Sequence, residues 1–148
     1  MKRTLLLLAA LLVMLPATAQ LKTTGAFQAP KDLGTFRTGI LSVTQSENGI
    51  ILWITTNNRY DPRGCFILGN TKESAIQTAD DLLAFMDGNE PGTMLTAESE
   101  PGKECLLTLR STLGVKVLYF DFAGFSGTQS LTHKELEKIR DTIEKKAK

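Results

Sequence analysis

Two segments are apolar on both faces, and they constrain the fold more than any other feature of the chain. Ile50 to Ile54 reads Ile-Ile-Leu-Trp-Ile. Val115 to Phe122 carries Val115, Val117 and Tyr119 on one side, and Leu118, Phe120 and Phe122 on the other. A strand alternates its side chains between faces, so a run with no polar face belongs in the middle of a sheet. Each run is the return leg of a hairpin. Ser46-Glu47-Asn48-Gly49 precedes the first, and Asn-Gly supplies the positive φ angles that a tight turn wants. Arg37 to Gln45 is its partner strand. Leu113-Gly114 precedes the second, and Lys103 to Thr112 is the partner, with Cys105, Leu107 and Leu109 on one face. Shorter strands are expected at Cys65 to Leu68 and at Thr93 to Glu98.

Two helices separate and close these hairpins. Asn70 to Asp87 places Ala75, Ile76, Ala79, Leu82, Leu83 and Met86 at the 3, 4, 7 spacing of a buried stripe. Asn70 with Glu73 resembles a capping box, and Gly88 falls where a left-handed C-cap belongs. The last helix follows Thr132-His133-Lys134-Glu135, a capping box, with Leu136, Ile139 and Ile143 as its apolar stripe. The order βββα-βββα predicts an α+β fold: one antiparallel or mixed sheet of about six strands, with both helices packed on one face.

The first residues read as something other than this fold. Lys2 and Arg3 precede an unbroken apolar run from Leu5 to Leu15, then Pro16 and the small-x-small triplet Ala17-Thr18-Ala19. This is the pattern of a secretory signal peptide over residues 1–19. A polar lead-in over 20–34 follows, touching the body at Phe27 and Leu33, and one α+β domain occupies 35–148. Export to the periplasm or the medium is the expected destination. The chain of 148 residues has a net charge of +1, which falls to about −1 once Lys2 and Arg3 leave with the leader. That balance argues against a nucleic-acid partner. The chain beyond the leader holds no second apolar run long enough for a transmembrane anchor. A protein or another envelope component is the expected partner.

Candidate chemistry is sparse. Cys65 and Cys105 are the two cysteines. In an oxidising compartment they form a disulfide worth roughly 4 kcal/mol, or else they stand as two small buried hydrophobes. Neither they nor His133, the one histidine, make a metal-ligand set, and no cofactor motif is present. Gly124-Phe125-Ser126-Gly127 follows a strand and precedes a helix, but the Gly-x-Ser-x-Gly pattern of a nucleophile elbow fails by one residue. Asp80, Asp81, Asp87 and Glu90 lack the spacing of a calcium loop. The best binding surface is the Asn57 to Gly64 loop, where Arg59, Tyr60 and Arg63 are residue types enriched at interfaces. Trp53 reads as a packing residue. The sequence therefore points to an exported, non-catalytic binding or assembly domain. Two alternatives stand beside it. One is a hydrolase whose Ser126, His133 and Asp121 are brought together only by the fold. The other is a carrier holding a small apolar ligand against the Leu118, Phe120 and Phe122 face.

Overall fold

A computed structural model describes residues 29–148. The expected leader, most of the lead-in and Phe27 lie outside the described residues. Eight strands and two helices follow in the order β1 (Lys31–Phe36), β2 (Leu41–Ser46), β3 (Gly49–Ile54), β4 (Gly64–Gly69), α1 (Lys72–Gly88), β5 (Met94–Glu100), β6 (Lys103–Thr112), β7 (Val115–Phe122), β8 (Gln129–Thr132) and α2 (His133–Lys146). The fold is α+β, but the expected single six-stranded sheet is instead two four-stranded antiparallel sheets, β1-β2-β3-β4 and β5-β6-β7-β8. The difference comes from two added edge strands and one break. β1 begins inside the expected lead-in and buries Leu33 completely. β8 forms between the Gly124-Phe125-Ser126-Gly127 segment and the last helix, where no strand was expected, and buries Leu131. Between the halves, β4 and β5 run close together without a shared ladder.

The two apolar runs are interior strands, β3 and β7, as their composition requires. In the first sheet Leu41 opposes Ile54 and Val43 opposes Leu52. In the second, Leu107 opposes Phe120 and Leu109 opposes Leu118. These inner faces meet the stripes of both helices in one buried cluster. The ring of Phe66 on β4 stands edge-on to Phe120 on β7, with centroids 5.4 Å apart, so the two sheets share a core directly.

The helix ends correct two expectations. α1 is capped by Thr71 rather than Asn70, through a reciprocal pair with Ser74. At its other end Gly88 is still helical and Asn89 is the cap, donating from its side-chain amide to the Phe85 carbonyl at 2.9 Å. Lys116, reaching across from β7, donates to the carbonyls of Met86 and Asn89 at 3.2 and 2.7 Å. A strand thus supplies the cation that the negative end of the helix lacks in its own last turn. The capping box of α2, Thr132 with Glu135, is present as read. Glu135 also takes a bidentate contact from Arg37. Arg37 itself sits at φ 46°, a left-handed conformation rare outside glycine, and its guanidinium further donates to the Ser130 carbonyl at 2.9 Å.

Candidate functional site

Two loops at one end of the sheets are joined by a single carboxylate. The first, residues 55–63, links β3 to β4; the second, residues 123–128, links β7 to β8. Asp61 accepts from the Thr56 hydroxyl at 3.1 Å and the Asn58 side-chain amide at 3.0 Å within its own loop. Across the gap it accepts the backbone N–H of Ser126 at 3.1 Å and of Gly127 at 2.7 Å. Desolvation opposes its charge, yet these four donors outweigh it and hold the carboxyl below the ordinary aspartate value. The loops are also stitched by backbone and amide bonds between Asn57 and Thr128. A Cβ on Gly127 would lie 2.7 Å from the Asn58 nitrogen, so only glycine permits this approach.

The clamp leaves the expected contact residues pointing away from it. Tyr60 is 79% exposed. The Arg59 guanidinium lies over its ring, 4.8 Å from the centroid, and donates to its hydroxyl. Arg63 turns the other way and donates to the Ser42 hydroxyl at 2.8 Å, on the outer face of the first sheet. The structure thus pairs Arg59 with Tyr60 and sets Arg63 apart from them at the loop's root. Asp61, which orders the loop, was not among the residues singled out. Its signal was an aspartate ahead of Pro62 in a loop that also carries Asn57 and Asn58, side chains that commonly bond to turn backbone.

Beside the loop runs a cleft of about 200 Å³ lined by Pro62, Arg63, Cys65, Lys103, Glu104 and Phe125, among others. Cys65 and Cys105 are both free thiols. Cys65 opposes Trp53 on the outer face, whereas Cys105 is part of the buried core. Burial, then the nearby Glu100 charge, pushes the Cys65 thiol up to about 11 despite Lys103. Burial pushes Cys105 up to about 12. Both are protonated at neutral pH and poor nucleophiles.

Ser126, His133 and Asp121 share no hydrogen bond. His133 stands between the helices, its Nε2 3.2 Å from Asp87 and its Nδ1 3.7 Å from Glu137. Asp121 is exposed on the outer face of β7. The two backbone donors that could have formed an oxyanion hole, those of Ser126 and Gly127, face Asp61. The Leu118, Phe120 and Phe122 face is packed by the protein's own rings, with Phe122 lying 5.3 Å from Phe125. Asp80 and Asp81 of α1 have partners too: Asp80 pairs with Arg140 of α2 at 3.0 Å, and Asp81 accepts from Gln77. Trp53 donates from its ring nitrogen to Thr44 and is half-buried on the sheet. Among the described residues no helix is long and apolar enough to cross a membrane.

Comparison with protein-family models, with curated proteins and with solved structures returned no match.

Proposed function

We propose that this chain is an exported, non-catalytic binding or assembly domain of the cell envelope, with the Arg59, Tyr60 and Arg63 loop as its contact surface. One observation carries the reading. The loop is held at its base by Asp61, while a large aromatic side chain and an arginine without a carboxylate partner among the described residues remain outside the fold. An exposed tyrosine on a preorganised loop loses little entropy when it is buried by a partner. The fold makes no use of either side chain beyond their contact with each other.

The test is site-specific photo-cross-linking in cells. A photoreactive aromatic residue at position 60 forms a discrete adduct, and Arg59→Ala with Arg63→Ala in the same chain abolishes it. Capture that persists in that variant removes the loop from the account. Cell fractionation tests the destination: the protein is recovered shortened at its N-terminus outside the cytoplasm.

A further inference from the structure

We propose that the partner of the Arg59–Tyr60 loop is a second copy of this chain, docked reciprocally across a two-fold axis. The proposal rests on the loop reading above. Its new element is the surface that receives the loop: the outer face of β5, β6 and β7.

That face is acidic and apolar around Leu106; its one cation among the described residues, Arg110 of β6, lies farther along, over the Tyr119 ring at 4.8 Å. Thr96, Leu106 and Asp121 lie in one row across the three strands, and Met94, Thr108 and Tyr119 in the next. Met94 is 63% exposed and Leu106 36%. Glu98 and Glu104 stand directly opposite each other on paired strands, an arrangement of like charges that costs stability. No ion pair neutralises Glu98, Glu104 or Asp121 among the described residues. Three carboxylates therefore surround an exposed leucine. A shallow groove of about 360 Å³ runs between them, lined by Thr96, Glu104, Leu106, Asp121 and Ala123.

The cationic loop abuts this groove without reaching into it. Glu104 and Ala123 line both the groove and the cleft that contains Arg63. Arg59 and Arg63 likewise lack a carboxylate partner among the described residues. Neighbouring patches of opposite charge that form no ion pair with each other within one molecule are self-complementary between two. A two-fold axis between them sets each loop on the other copy's groove, residue i on j and j on i. Tyr60 then covers Leu106, and Arg59 meets Glu104 and Asp121.

Charge exchange in the full-length gene product, purified as the cell processes it, tests this. Sedimentation shows the wild type in a concentration-dependent monomer–dimer equilibrium that weakens at high salt. Arg59→Glu with Arg63→Glu sediments as a monomer, and so does Glu104→Lys with Asp121→Lys. An equimolar mixture of the two variants regains the dimer mass, because both contacts are then of opposite sign. Circular dichroism confirms that each variant is folded, and Arg59→Glu alone serves if the pair is not. A wild type that stays monomeric at every concentration overturns the second-copy assignment, as does a mixture that stays monomeric. The cross-link at position 60 is an independent readout. An adduct to a different protein alongside a monomeric wild type defeats self-association while keeping the loop as a contact surface. An adduct of twice the chain's mass, whose cross-linked peptides come from β6 or β7 of a second copy, supports it.

Discussion

The carboxylate of Asp61 receives the backbone N–H of Gly127 at 2.7 Å, across 66 positions of sequence. This one side chain does for the two loops what a turn does for a hairpin: it removes the freedom of both at once. Because its folded value lies below the ordinary one, the unfolded chain takes up the proton first as pH falls. The clamp is thus complete above the unfolded aspartate value of about 3.9 and is lost as pH drops through the folded value. Amide hydrogen exchange checks it. The Ser126 and Gly127 amides are protected at neutral pH, keep that protection down to about pH 4, and lose it as pH falls further. Asp61→Ala removes that protection at neutral pH while leaving the β3 and β7 amides protected. Unchanged exchange at Gly127 in the variant contradicts the clamp.

The contact between Arg37 and Glu135 ties the end of β1 to the N-terminus of α2. Glu135 also accepts from the Thr132 backbone at 2.9 Å, so one carboxylate serves both cap and ion pair. Desolvation opposes its ionisation, but Arg37 and the Thr132 donors prevail and hold it below the ordinary glutamate value. The stability it contributes is present above the unfolded value of about 4.3 and is lost as pH falls through the folded one. Glu135→Ala costs about 2 kcal/mol in urea unfolding at pH 7, combining the lost cap with an arginine left without its partner. Arg37→Ala costs less, because the capping box survives. A double variant whose loss equals the sum of the two single losses shows that the pair is not coupled.

The hairpins, the helical stripes and the α2 capping box were legible because each depends on residues close in sequence. The edge strands were not. Lys31-Asp32-Leu33-Gly34 and Gln129-Ser130-Leu131-Thr132 are mostly polar, and each becomes a strand only because an interior neighbour, β2 or β7, offers a ladder. The positive φ in the first hairpin falls on Gly49 alone, whereas Leu113 and Gly114 at the second tip both adopt it. The left-handed Arg37 and Thr38 carry no local signal. The Arg37 side chain is anchored by contacts to Gln129, Ser130 and Glu135, more than 90 residues away. The loop of Arg59 and Tyr60 was readable from residue type. The carboxylate that steadies it was readable only in part: Thr56 and Asn58 lie in its own loop, but Ser126 and Gly127 arrive from the β7–β8 loop, more than 60 positions on.

The cysteines give a chemical test of the core. In unreduced protein unfolded in denaturant, thiol titration finds both Cys65 and Cys105 free. In the folded protein at pH 8, a thiol with a value of about 11 is ionised to roughly one part in a thousand. Cys65, half-buried beside Glu100, is therefore labelled far more slowly than an ordinary exposed thiol. Cys105, wholly buried, is labelled only as the molecule unfolds, so its rate rises with denaturant. Absence of titratable thiols in the unfolded sample shows a bridge and requires β4 and β6 to be arranged differently.

Gly64 reports on how the two sheets meet. It opens β4 opposite Ile54, and its bare backbone lies against the ring of Phe122 on β7. A Cβ there would stand 2.6 Å from the ring's Cζ, inside any permitted contact. The ring cannot simply move away, since it is stacked 6.2 Å from Phe120 and packs at a tilt 5.3 Å from Phe125. Gly64→Ala therefore overpacks the junction and costs about 1–3 kcal/mol in equilibrium unfolding. The same substitution at Gly88, where an added Cβ meets nothing within 4 Å, stabilises the end of α1 by a few tenths of a kcal/mol. Shortening the opposing ring isolates the cause. With Phe122→Leu in place, adding Gly64→Ala costs less than it does in the wild type, a coupling of about 1 kcal/mol. Strict additivity of the two substitutions would mean that β4 does not lie against β7, and that the shared core of the two sheets is built some other way.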